Sequence, residues 1–172
     1  MRNPMSKMTT GHVIDAKVDA RHQVTTKGIA AGTVVLTLDG ALPVDFLSPG
    51  DRIITREGMR VLRKVTTHRY SGPAIRVAEG ALGHDRPEQA LVLPVDTMVL
   101  VRDWRAQALF GKSQALVPMS RLADGEFIAP TSVLSMRLYE LQFDSPQIVY
   151  AEGLELACDG VDMPAETPAT TE

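Results

Sequence analysis

The stretch Gly28–Gly40, "GIAAGTVVLTLDG", decides how the chain is read. After Gly32-Thr33, the side chains of Val34, Leu36 and Leu38 fall on one side and those of Thr33, Val35 and Thr37 on the other, the two-residue alternation of a strand. "LDGA" at 38–41 then supplies a turn, because Asp-Gly tolerates the backbone angles of tight reversals. The same grammar continues outward. "SPGD" at 48–51 and "REGM" at 56–59 are turns, so "RIIT" between them is a short strand and "MRVLRKVTTHRY" a longer one. "PAIRVAEGAL" reads as a strand closing on Gly80, and "QALVLPVDTMVLVRD" as two short strands around a bend at Pro94 and Asp96. "SVLSMRLYELQF", 132–143, alternates over a long span, "QIVYAEGLEL" follows Ser145-Pro146, and "MSRLA" at 119–123 fits one helical turn. Many short strands separated by close turn signals predict an all-β domain.

The chain also echoes itself. "LPVDFLSPGDRI", 42–53, aligns without gaps on "VPMSRLADGEFI", 117–128, at an offset of 75 residues. Pro43 meets Pro118, Leu47 meets Leu122 and Gly50 meets Gly125; Asp51 against Glu126 and Ile53 against Ile128 keep chemical type. Two related halves are expected to build one domain.

Composition sets the frame. A chain of 172 residues suits a single domain, and 44% hydrophobic with 23% charged residues is enough to fill a core. Residues 1–26 are polar without sustained periodicity and read as a flexible arm; 159–172 carry the Pro, Thr and Glu content of a disordered tail, leaving 27–158 as the domain. A net charge of −3 without a basic run argues against nucleic-acid binding; Arg60, Arg63 and Lys64 come nearest and read as a solvated strand face. One cysteine, Cys158, excludes an internal disulfide and a multi-cysteine metal site. Neither a signal-peptide core nor a run of ~18 apolar residues occurs, so the expectation is a cytoplasmic chain without a membrane partner, non-classical export being left open.

The order "AGT…LDG…PGD.I.T", then "A.RV.EGALG", "LFG…LVP…L.DG..I" and "L.FD….IV.AEG" closely resembles the bacterial hedgehog/intein-type (Hint) domain, over about residues 28–157. The resemblance implies an all-β, horseshoe- or disc-shaped fold of many short strands with pseudo-twofold symmetry, which the echo at offset 75 would reflect. It also implies a chemistry. Self-processing members need a thiol or hydroxyl at the start of the domain for an acyl shift. They need a histidine in a Thr/Ser-x-x-His motif to protonate the leaving nitrogen. A late motif then helps resolve the ester.

Carried onto this chain, all three positions differ. The nucleophile position falls on Gly28, which has no side chain to attack with. The histidine motif falls on Leu93-Pro94-Val95-Asp96, and an ionised aspartate accepts protons rather than donating them. The late motif falls on Phe143-Asp144-Ser145-Pro146-Gln147, with Pro146 where a histidine is common. These changes imply a domain without self-cleavage, retained as a binding or structural β module with protein partners. The alternative is cleavage before about Gly28 by an unusual nucleophile or a water.

Substitute groups for that alternative are few. Thr33 is the nearest hydroxyl, its plainer role being a hydrogen bond at the first strand; Thr25 and Thr26 lie in the arm. Asp96 and Asp144 could converge on the cleft and share acid–base work, although each also suits a backbone-bonding role at a bend. Cys158 reads as a small buried or edge residue. His12, His22, His68 and His84 are scattered, without metal-ligand spacing, and read as surface residues; neither cofactor nor metal is expected. Trp104 and Phe110 in "DWRAQALFG" read as core or edge anchors rather than a stacking platform for bases. An unrelated β-barrel would be the remaining reading, and it would lack twofold-related halves.

Overall fold

The computed structural model describes residues 27–161. The expected arm and most of the expected tail, with Thr25, Thr26, His12 and His22, lie outside the described residues. Twelve strands and one helix follow one another as β1 (Ile29–Ala30), β2 (Val34–Thr37), β3 (Gly40–Pro43), β4 (Arg52–Thr55), β5 (Gly58–Val61), β6 (Lys64–Val77), β7 (Leu91–Pro94), β8 (Met98–Val101), α1 (Trp104–Phe110), β9 (Ala115–Pro118), β10 (Ile128–Gln142), β11 (Gln147–Ala151) and β12 (Leu154–Cys158). They form a four-stranded antiparallel sheet in the order β1-β10-β6-β7 and an eight-stranded sheet in the order β3-β2-β4-β11-β12-β8-β9, with β5 paired to β4. The sheets enclose one core that includes Val35, Ile53, Leu93, Ile128, Phe143 and Leu156. Among the described residues there is no closed barrel.

Local chemistry fixes the hairpins. Thr37 Oγ1 donates to the Gly40 carbonyl (2.7 Å) and accepts from Asp39 N (3.1 Å). Thr55 Oγ1 repeats this with Gly58 O (2.7 Å) and Glu57 N (3.2 Å). A Thr-x-Asp/Glu-Gly tetrapeptide thus folds identically twice, and its glycine, φ 111° at Gly40 and 95° at Gly58, occupies a backbone region that side chains disfavour. These bonds also explain why two threonines can be buried: their hydroxyls are satisfied within the turn.

The twofold is visible in the echo. Pro43 (φ −56°, ψ 139°) and Pro118 (φ −61°, ψ 140°) each end a strand and lead into a 3-10 turn. Val44 N donates to Thr33 O (2.8 Å) as Met119 N donates to Thr97 O (2.7 Å); Thr33 N reaches Ala30 O and Thr97 N reaches Pro94 O, both at 3.1 Å. Leu47 and Leu122 are buried alike, as are Ile53 and Ile128. The four-stranded sheet keeps its order when β1 exchanges with β7 and β6 with β10. The related halves and the open sheets remove the unrelated-barrel reading.

Four expectations change. "MRVLRKVTTHRY" breaks at Leu62, which is buried, and the exposed Arg63, and its second part runs on through Gly72-Pro73 to join "PAIRV" as β6. A register shift between Val133 and Met136 in β10 absorbs the irregularity, and Tyr70 Oη donates to the Pro73 carbonyl beside it. Trp104 is not a core anchor. It starts α1, is 69% exposed, and carries the Arg105 guanidinium 5.0 Å from its ring centre, whereas Phe110 packs on the core. The helix has an Asp103 cap, whose carboxylate accepts from Arg105 N, and ends on Gly111 in the left-handed region (φ 66°). Finally, the chain stays attached beyond 158: Phe143 N donates to Asp159 O (3.1 Å) and Val161 N to Phe143 O (2.7 Å).

Across the middle of the larger sheet, the buried Glu155 carboxylate joins the halves. Arg56 Nη1 reaches one oxygen and Arg102 Nε the other, both at 2.8 Å. Burial pushes the Glu155 pKa up, but the hydrogen bonds and charges of the two guanidiniums outweigh it and hold the carboxyl below its ordinary value.

Candidate functional site

The chain enters the described fold at Lys27 and crosses into a cleft of about 130 Å³. Gly28 and Asp96 line this same cleft, with Thr97, Tyr139, Leu141 and Cys158 among its other walls. Three elements make it: β1 pairs with β10 through Ile29 opposite Tyr139, the bend between β7 and β8 brings Asp96 and Thr97, and β12 brings Cys158. At the rim, Lys27 Nζ meets Asp159 Oδ2 at 2.6 Å, so the beginning and the end of the domain are held side by side.

Gly28 has φ 130°, and a Cβ built on it would lie 2.9 Å from Leu138 Cβ and 3.2 Å from the Tyr139 carbonyl oxygen. The wall of the cleft is packed against the absence of a side chain. Asp96 is solvent-exposed. Burial first, and then the charge of Asp96, raise the Tyr70 pKa, so that phenol stays protonated with its proton committed to Pro73 O.

The other candidates separate. Asp144 does not join Asp96: it forms a two-pronged pair with Arg63 (2.9 and 3.0 Å) on the exposed surface, and it lines no part of the cleft. A shared-proton pair of Asp96 and Asp144 is therefore not built, because the arginine is the carboxylate's partner. Pro146 precedes β11, also outside the cleft lining. Thr33 is buried and faces another groove, with Glu152, while its backbone serves the 3-10 turn. His68 lies on β6 and His84 in a turn with φ 53°. Among the described residues no group of His, Cys, Asp and Glu side chains could hold a metal ion. No helix of the described residues is long and apolar enough to cross a membrane.

Two cleft residues carry more than the sequence suggested. Thr97 Oγ1 is buried and has no hydrogen-bond partner among the described residues. The signal was its place beside Asp96. Cys158, expected only as a small buried or edge residue, is buried in β12 at the cleft wall; burial, with Asp159 and Glu140 adding to it, pushes its thiol up to about 12. At pH 8 the native thiol is expected to alkylate with iodoacetamide roughly a thousandfold more slowly than after unfolding, as the missing thiolate and the closed surroundings dictate. Mass spectrometry after timed labelling, with and without denaturant, measures this ratio.

Residues 28–157 match the family described as Hint domain. Among solved structures, the fold is similar to a bacterial intein-like domain from Clostridium thermocellum, with a TM-score of 0.54 and 14% identity over 79% of this chain and 100% of that one. It is also similar to a DnaB intein from Synechocystis sp. PCC 6803, with a TM-score of 0.50 and 9% identity over 77% of this chain and 98% of that one. No curated protein matches the sequence.

Proposed function

The chain belongs to the Hint domain family, and from that premise we propose that it is a member without self-cleavage, serving as a β-rich binding or structural module for a protein partner. One observation supports the reading: at Gly28, where the resemblance sets the family's nucleophile, a side chain would begin 2.9 Å from Leu138 Cβ in the cleft wall. An acyl shift moves the carbonyl of residue 27 onto a side-chain oxygen or sulfur of residue 28, and here there is neither. The nitrogen of Gly28 must also leave with a proton, and Asp96, at the family's histidine position, supplies an acceptor where a donor is needed.

A second reading has its own observation. The Thr97 hydroxyl, unpaired and beside Asp96, would be the group to attack the bond before Gly28 directly or to orient a water toward it. Intact-mass spectrometry of the full chain, extended by an N-terminal tag, separates the two. After days at several pH values, with and without thiol or hydroxylamine, a single uncleaved mass is expected. A product starting at or near Gly28 would overturn the first reading, and its loss in a Thr97→Val protein would identify the hydroxyl.

A further inference from the structure

Two open grooves meet beside the turn that joins β11 to β12, and Glu152 lines both. One, of about 470 Å³, is walled by residues 30–33 and 89–92 and by Val133, Ser135 and Met136 of β10. The other, of about 210 Å³, lies along Val34, Leu36, Ala41 and Tyr150, with Glu88 and Gly153 beside Glu152. Their walls are mostly apolar. The charges among their lining residues are the carboxylates of Glu88 and Glu152, and neither Lys nor Arg lines either groove.

Glu152 is only 8% exposed, and its backbone sits in the left-handed region (φ 47°) ahead of Gly153. Its Oε1 accepts from Val34 N (2.9 Å), its own N–H donates to Val34 O (2.8 Å), and its carbonyl accepts from Glu88 N (3.3 Å). Those bonds lock the turn to β2 but occupy one carboxylate oxygen. Among the described residues nothing donates to Oε2, and neither Glu152 nor the exposed Glu88 has a cationic partner. Arg69 and Arg86 stand nearby with their bonds elsewhere, Arg69 Nη1 on Ser135 Oγ (3.0 Å) and Arg86 Nε on the Gly83 carbonyl (3.3 Å). A carboxylate nine-tenths removed from water is ordinarily paired, and left-handed backbone at a residue with a side chain is a feature that clusters at ligand sites.

We propose that the two grooves dock an extended segment of a partner protein in which apolar side chains flank Lys or Arg, the cation lying over Glu88 and Glu152 and the apolar groups filling the groove on either side. Two observations select this occupant. The carboxylates lack counter-charges, which a cation supplies. They also stand between two apolar walls, so a ligand that covers the whole site needs apolar groups on both sides of its charge. A second copy meeting this one groove to groove would bring four carboxylates together, which like charges oppose. The proposal rests on the binding-module part of the function above, and it concerns a surface whose lining shares no residue with the Gly28 cleft.

The test uses the full chain and two fluorescein-labelled peptides, Val-Leu-Lys-Lys-Leu-Val and Val-Leu-Glu-Glu-Leu-Val. Fluorescence anisotropy gives affinity and methyl NMR gives location. Intact mass of the same sample reports cleavage before Gly28, so a failure of the self-cleavage reading is seen apart from a failure of docking. The lysine peptide is expected to shift the methyls of Leu36, Val92 and Met136, with binding weakened by salt, while the glutamate peptide leaves them in place. Glu152→Gln, which keeps an oxygen for Val34 N, should weaken binding by about tenfold or more, the scale of a charge-assisted bond at a buried acceptor. Glu88→Gln, at an exposed position that spares the fold, should weaken it about two- to fivefold and flatten the salt dependence. Equal binding of both peptides, shifts confined to Ile29 and Leu141 of the Gly28 cleft, or unchanged affinity in both variants would each overturn the proposal. So would self-association through this surface in sedimentation, or contacts from residues 1–26 to Leu36 and Met136 in the peptide-free protein, which would make the chain its own occupant.

Discussion

Gly28→Cys is expected to restore no cleavage and to destabilise the protein by about 3 kcal/mol, the sum of a strained backbone and an overpacked contact. On the proposed reading the substitution returns a thiol to the position where the resemblance sets the family's nucleophile, so a simple loss of one residue would predict partial recovery. The geometry predicts the reverse. A φ of 130° is disfavoured for any residue with a Cβ, and the new atom would meet Leu138 Cβ at 2.9 Å and the Tyr139 carbonyl at 3.2 Å. Both belong to β10, which pairs along most of its length with β6 and, at Leu138 and Tyr139 themselves, with β1, so neither can withdraw without opening the four-stranded sheet. Even a thiol reached by such a shift would find Asp96 in the cleft, where the resemblance sets a histidine. Gly28→Ala separates the two effects: it should cost as much as Gly28→Cys in urea unfolding, because the Cβ, not the sulfur, carries the strain. A Gly28→Cys protein with native stability that releases its N-terminal tag would show that the cleft kept room for the reaction.

The physics of what could be read in advance is uneven. Turns were legible because they depend on neighbours: "LDGA", "SPGD" and "REGM" each put a glycine at a positive φ where the sequence placed it. The twofold was legible because symmetry repeats the same local solution, a proline, a 3-10 turn, a buried leucine and a glycine, 75 residues apart. Alternation in 33–38 defined two faces but not which one is buried. The structure buries Val35 with two threonines and exposes Leu36 and Leu38, an inversion that the hydroxyl bonds of Thr37 permit and that no periodicity encodes.

Long-range partners left no trace. Asp144 was a candidate for the cleft until Arg63, 81 residues away, took both its oxygens. Glu155 attracted no attention because Arg56 and Arg102 lie 99 and 53 residues from it. The packing of β10 against Gly28 depends on a strand about a hundred residues downstream. Helix α1 was missed for a different reason. Its signals, Asp103 before and Gly111 after, frame only seven residues, too short a run for the helical period to stand out.

The Glu155 cluster yields the other large effect. Replacing both Arg56 and Arg102 by Gln is expected to cost about 3–5 kcal/mol at neutral pH, the penalty for leaving a buried charge without its partners. The carboxylate side chain is only 2% exposed, so water cannot replace the lost guanidiniums without opening the sheet. Acidity gives a sharper signature than the size of the loss. In the native protein Glu155 is held below its ordinary value, so its contribution to stability is complete above the unfolded-state value and disappears as pH falls through the folded one. In the double variant only burial acts, which raises the pKa; the penalty then grows as pH rises from the unfolded-state value through the folded one. The contribution of this one group should therefore reverse its slope, and urea denaturation across the acidic range, variant against native, would reveal it. Adding Glu155→Gln to the double variant should recover most of the loss and remove the reversed slope, because a neutral side chain carries no charge to bury. If the double variant is as stable as the native protein, or if Glu155→Gln deepens the loss, then the sheet is not joined through this carboxylate.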